Sequence, residues 1–241
     1  MHPVSPMALP SLRDLLDGAA CLLFPERCGA CEMLCRGPFC DPCSETLLPV
    51  PAGCPLCGEP GDEALLPLLK PRRCPRCRKD PPPFALARAS FLHGGALAEA
   101  IHRLKYEGRE ELARPLGALF AGCEPPRCDV VAPIPLHPLR LRERGYDQAA
   151  LLAREAGRQY GLPMRRVVER VRPTRQQVGL DRARREQNVQ AAFRASPAAR
   201  GVRVCLVDDV LTTGATAAEA ARALLLGGAI RVEVRTLARA W

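Results

Sequence analysis

Lysine is almost missing from this 241-residue chain: only Lys70, Lys79 and Lys105 occur, and every other basic residue is arginine. Aromatic residues make up 4%, too few for a broad platform on which nucleobases could stack. No apolar run approaches the roughly 18 residues needed to cross a bilayer. Met1 to Pro10 has no basic start followed by an apolar stretch, and no small-residue cleavage site. The expectation is therefore a chain without a secretory leader, in a reducing cytoplasm. No G-K-[ST] follows any glycine-rich turn, which sets aside a P-loop. What is present reads as a folded globular protein, with 47% hydrophobic and 25% charged residues. The net charge is +9. Arginine's rigid fork suits phosphates and carboxylates, so a polyanion partner is one reading of that charge. The other reading is arginine and alanine usage set by base composition.

Cysteine is plentiful. Eight of the thirteen fall in four C-x-x-C pairs: Cys28/Cys31, Cys40/Cys43, Cys54/Cys57 and Cys74/Cys77. Each pair offers two thiolates from one tight turn, and tetrahedral zinc needs two such turns. Gly58, directly after Cys57, relieves the turn there. Two structural Cys₄ zinc sites follow, the first pair with the second and the third with the fourth, since short loops close at least entropic cost. Crossed pairing stays open, as does iron–sulfur ligation, which also takes four cysteines. A redox dithiol would open a helix beside a strand, a context the sequence does not suggest. Cys21, Cys35, Cys123, Cys128 and Cys205 are left over and read as packing residues.

Three segments follow from the pattern along the chain. Leu9, Leu12, Leu15, Leu16, Ala19, Leu22 and Leu23 recur at helical spacing, so residues 1–27 carry a short amphipathic helix. Residues 28–83, rich in cysteine, proline and glycine, form a small zinc-stapled domain. Pro81-Pro82-Pro83 makes a stiff break before residues 84–241. From there strands and helices alternate. Strands are expected at Phe84–Phe91, Asp129–Ala132, Val167–Val171, Val202–Val207 and Ile230–Leu237. Helices are expected at Ala96–Tyr106, Glu111–Ala121, Gln148–Tyr160 and Thr216–Leu226. That alternation implies a mostly parallel sheet flanked by helices.

The strongest chemical signal is Val204-Cys-Leu-Val-Asp-Asp-Val-Leu-Thr-Thr-Gly-Ala-Thr216. An apolar strand delivers Asp208 and Asp209 to its C-terminal end. The turn Thr212-Thr213-Gly214-Ala215-Thr216 then opens a helix. Such a helix start presents backbone amides at the positive end of a dipole, which suits a phosphate. The carboxylates, one step away, can accept hydrogen bonds from a ribose diol. Ligands of open α/β sheets bind at this end of the strands.

This stretch resembles the phosphoribosyl pyrophosphate (PRPP) motif of type I phosphoribosyltransferases. The resemblance implies that Asp208 and Asp209 contact ribose hydroxyls, that residues 212–216 hold the 5′-phosphate, and that Mg²⁺ accompanies PRPP. Further pieces are Leu104-Lys-Tyr106, Pro133-Ile-Pro-Leu-His137, Arg140, Arg144-Gly-Tyr-Asp-Gln148, Gln177, Leu180, Arg185, Asn188 and Phe193. With the cysteine pairs, they resemble the ComF (GntX-like) family of competence-related proteins, from about Cys28 onward. That family usually has asparagine at the position of Asp147. The resemblance implies a phosphoribosyltransferase-type fold behind a double zinc ribbon. It also implies a part in DNA uptake, with single-stranded DNA and a helicase as partners.

Between Val130 and Arg203 stand sixteen arginines against six acids. The resemblance to phosphoribosyltransferases further implies a loop that closes over pyrophosphate, for which Arg172 to Asn188 is the candidate, with Arg185, Arg140 and Arg144 as the candidate pyrophosphate contacts. His137 reads as structural. Two functions remain: a glycosyltransferase-class phosphoribosyltransferase or sensor in nucleoside and nucleotide metabolism linked to competence, or a non-catalytic factor that handles single-stranded DNA with its zinc ribbons and arginine-rich face. No residue can be assigned as a catalytic acid or base.

Overall fold

The computed structural model describes residues 27–61, 72–173 and 189–240. The expected helix over residues 9–23, Cys21, Gln177, Leu180, Arg185 and Asn188 lie outside the described residues.

Four strands form a parallel sheet: β1 (Leu86–Leu92), β2 (Val130–Pro133), β5 (Arg203–Leu211) and β6 (Arg231–Arg239), in the order β1-β6-β5-β2. Val204 to Val207 is apolar on both sides, as a strand covered on both faces requires. Alternation sends Cys205 and Val207 to one face, and Val204 and Leu206 to the other. The first face is covered by α3 (Gly95–Tyr106), α4 (Ala113–Ala118) and α6 (Gln148–Tyr160). In α3 the buried residues are Ala96, Leu97, Ala100, Ile101 and Leu104, a single helical stripe. The second face is covered by α7 (Ala215–Leu226), through Ala217, Ala220, Ala221 and Leu224. The expected parallel sheet flanked by helices is thus the observed architecture.

Two elements depart from the sequence pattern. Val168–Arg170 (β3) does not join the main sheet but pairs antiparallel with Phe193–Ala195 (β4). Pro138–Arg144 forms a short helix, α5, whose amide at Leu139 donates to His137 Nδ1 at 3.2 Å. His137 is therefore a helix cap, which is a structural role.

The cysteine-rich segment contains two one-turn helices, α1 (Asp41–Ser44) and α2 (Pro75–Lys79). Cys40 and Cys74 are their N-caps, with Cys43 and Cys77 inside them. Two C-x-x-C pairs do open helices, contrary to expectation. Each, however, faces another pair, and α1 and α2 have only four and five residues.

Candidate phosphate site and metal clusters

Alternation along β5 continues through the acid pair, so neighbouring carboxylates diverge. Asp209 points to the α3 side, is buried, and meets Lys105 Nζ at 2.6 Å. Gln148 Nε2 lies 3.5 Å from its other oxygen. Burial works against the Lys105 charge, but the attraction of Asp209 outweighs it and holds the ammonium above its ordinary range. Asp208 has no such partner. Burial, then repulsion from Asp209, pushes its carboxyl up to about 8. Its Oδ1 accepts the Asp209 amide at 2.9 Å.

After β5 the chain turns through Gly214, in the left-handed region at φ 78°, into α7. The first amides of a helix have no partner within it and point out of its start. Here that start lines a cavity of about 260 Å³ through Gly214, Ala215 and Thr216. Thr212, Asp208 and Asp209 line it too. Thr213 lies on a neighbouring depression, and its Oγ1 accepts the Ala215 amide at 3.3 Å. Four cations line the same cavity: Lys105, beside Asp209, and Arg140, Arg144 and Arg170. Arg170 stacks over Phe193 at 5.3 Å. Burial, then the neighbouring charge of Arg140, pulls its guanidinium down to about 10. A carboxyl pushed toward neutrality beside crowded cations marks this cavity as a candidate functional site.

The segments 104–106 and 144–148 interlock around this cavity. The Tyr146 hydroxyl donates to the Leu104 carbonyl, which fixes the turn that carries Lys105. Arg144 lies over the Tyr106 ring at 4.9 Å. Asp147 caps α6 by accepting the Ala150 amide at 3.1 Å, and its second oxygen accepts from Arg166 at 3.1 Å. An asparagine could make the cap but not the ion pair, so Arg166 accounts for the aspartate.

Two arginines that sequence reading passed over hold the outside of the phosphate loop. Arg76 Nη1 donates to the Thr213 carbonyl at 2.6 Å. Arg239 donates to the Leu211 carbonyl at 3.2 Å and to that of Thr212, and pairs with Glu59. Lys105, Gln148 and Arg170 were also not singled out as site residues. The strand period could have found Lys105's partner, but not Lys105 itself.

The eight paired cysteines come together as two groups, Cys28, Cys31, Cys40 and Cys43, and Cys54, Cys57, Cys74 and Cys77, with sulfurs within 4.8 Å of one another in each. A metal with ~2.3 Å bonds to four sulfurs sets tetrahedral edges of about 3.8 Å. The Cys31–Cys40 and Cys57–Cys74 separations are 3.5 and 3.7 Å, so both groups fit such a metal. Cys123, Cys128 and Cys205 are buried packing residues.

No protein-family model matches the chain. Curated proteins do. The "DNA utilization protein YhgH" of Escherichia coli strain K12 is 32% identical over 232 residues, covering 90% of this chain and 99% of that protein. The "Competence protein F" of Haemophilus influenzae is 29% identical, with 90% and 98% covered. The "Competence protein ComFC" of Bacillus subtilis is 30% identical, with 77% of each covered. Among solved structures, the glutamine PRPP amidotransferase from B. subtilis complexed with ADP and GMP is 25% identical, with a TM-score of 0.37. The match covers 51% of this chain and 25% of that one.

Fold and site together define a parallel α/β protein with a charged cavity at a helix start and two groups of four cysteines. The chain belongs to the ComF family of competence and DNA-utilization proteins.

Proposed function

We propose that this protein binds PRPP with Mg²⁺ in the cavity before α7, and that binding serves the handling of incoming DNA. The observation that carries the reading is one cavity lined by an acid pair, a helix start and four cations. In this reading the 5′-phosphate lies on residues 212–216. The ribose diol donates to Asp208 and Asp209. Pyrophosphate lies toward Arg140, Arg144 and Arg170, with Arg185 a further candidate from the loop over residues 172–188. Asp209 is already neutralised by Lys105, and Asp208 is pushed toward its neutral form. Such a pair suits hydroxyl donors better than a resident cation. Mg²⁺ would be held by ligand oxygens and water, and would offset pyrophosphate charge.

The two Cys₄ clusters hold structural zinc in this reading. A closed Cys₄ set leaves no open position for chemistry. Thiolate ligation suits a reducing compartment, which supports a cytoplasmic setting. Transfer of the phosphoribosyl group to an acceptor would rest on positioning and charge stabilisation by these cations. The name of one relative, a DNA utilization protein, points to DNA, and a second reading is a factor that binds single-stranded DNA without turnover. Phosphate-driven DNA binding would weaken steeply with added salt.

Isothermal titration with Mg²⁺–PRPP tests the first reading. The wild type is expected to bind, and Asp208→Ala/Asp209→Ala to bind about a hundredfold more weakly, from the loss of two charge-assisted hydrogen bonds. Equal affinity of the two proteins would remove the assignment. Repeating the titration with single-stranded DNA present reads any coupling between the two ligands.

A further inference from the structure

The second cysteine cluster reaches the phosphate loop through two guanidinium groups. Arg76 lies between Cys74 and Cys77 on α2, and donates to the Thr213 carbonyl at 2.6 Å. Arg239, at the end of β6, donates to the carbonyls of Leu211 and Thr212. Arg239 is itself fixed by Glu59, two residues beyond Cys57. The Glu59 carbonyl accepts the Cys54 amide at 2.8 Å, which closes the knuckle. Three consecutive loop carbonyls are thus held from the cluster side.

A trans peptide is planar, with its carbonyl and the next amide pointing in opposite directions. Holding the carbonyls of Leu211, Thr212 and Thr213 on one side therefore aims the amides of Thr212, Thr213 and Gly214 to the other. Successive amides aimed one way make an anion cradle. The carrier of Arg76 cannot hold itself in place. A five-residue helix is far below the length at which helices are stable alone. What fixes α2 is the meeting of Cys74 and Cys77 with Cys54 and Cys57, whose Cys57–Cys74 sulfurs lie 3.7 Å apart. Among the described residues, the first cluster makes no such link to the loop. Cys28 and Cys40 pack instead into the core under α3 and α4.

We propose that Arg76 and the Glu59–Arg239 pair are positioning residues through which metal occupancy of the second cluster sets the phosphate loop's affinity for its anion. The cluster then acts as a metal-dependent permit for phosphate binding at a site to which it contributes no ligand. The anion part of this statement rests on the proposed PRPP site. The coupling between cluster and loop does not.

The test uses the full chain, as wild type, Arg76→Ala and Arg76→Ala/Glu59→Gln. Zinc content, amide hydrogen exchange of the peptide covering residues 211–217, and Mg²⁺–PRPP affinity are measured on each. The expected result for Arg76→Ala is unchanged zinc content, loop exchange faster by about tenfold and affinity weaker by about tenfold, from the loss of one charge-assisted hydrogen bond. Graded chelation of the wild type should speed loop exchange in step with metal loss. In the double variant loop exchange should be fast from the outset and respond little to chelation. Unchanged loop exchange in Arg76→Ala with zinc retained would overturn the coupling. If the wild type binds no PRPP, the PRPP reading falls, and the exchange measurement still decides the coupling.

Discussion

Asp208 and Asp209 are adjacent in sequence but differ in environment, because a strand sends successive side chains to opposite faces. Asp209 has Lys105 at 2.6 Å; Asp208 has burial and a like charge. Substitution should therefore act in opposite directions. The Asp208 carboxyl titrates near 8 in the folded protein against 3.8 ordinarily. Across that window the folded chain keeps a proton that the unfolded chain has lost, so this group makes stability fall as pH rises. Asp208→Asn removes that slope. It should raise the melting temperature by about 3 °C near pH 8, and by almost nothing near pH 4, in thermal scans across pH. Asp209→Asn should instead cost about 3 kcal/mol, because it leaves the Lys105 charge enclosed without its partner. Adding Lys105→Met should recover part of that loss, a double-mutant cycle that reads the pair directly. A stabilising Asp209→Asn would contradict the ion-pair geometry.

At the scale of the element, the turn between β5 and α7 makes a sharper statement than its sequence. Gly214 sits at φ 78°, and a Cβ there would meet Leu211 at 3.7 Å, an ordinary contact. Gly214→Ala should therefore cost only the conformational penalty, about 1 kcal/mol. Gly58 has φ 66°, and a Cβ there would lie 2.8 Å from the Ala87 carbonyl oxygen, a backbone atom that cannot swing aside. Gly58→Ala should cost about 3 kcal/mol or more, and denaturation of the two variants side by side checks the order. Much of this level was legible in the sequence. The helix at Gln148–Tyr160 has the bounds its pattern indicates, and β5 and α7 flank the loop as the motif requires. β6 shows why the rest was not. Its Glu233 and Arg235 alternate with Val232 and Val234, as on a strand with one wet face, yet both are buried, as is Arg239. Glu233 pairs with Arg235 at 3.1 Å, and Arg239 serves the phosphate loop. Local period cannot reveal a polar partner supplied by a distant segment. Arg76 escaped notice for the same reason, since its carbonyl partner lies 137 residues away.

For the whole molecule, the question is whether the cysteine-rich segment is an appendage or part of the core. Sequence composition places a boundary at Pro81–Pro83, after a small zinc-stapled domain. The packing supports a different proposal, that the segment melts together with the sheet. Cys28 and Cys40 are buried in the cluster that includes Leu97, Ile101 and Leu116. Cys54, Cys57 and Cys77 are buried in the opposite cluster, with Phe84, Val234 and Leu206. The two metal clusters therefore support the two faces of one sheet. Without metal, the cysteines would lose the bonds that tie their turns together, and the segments that carry them would withdraw and expose the core beneath. Chelation should then lower the melting temperature of the entire protein by about 10 °C or more, in one transition seen alike by far-ultraviolet circular dichroism and calorimetry. A separate low-temperature step, followed by melting of the sheet at its original temperature, would show instead that the prolines mark a true domain boundary. The burial of Phe84, directly after the prolines, in the same apolar cluster as Cys54, Cys57 and Cys77 favours the single transition.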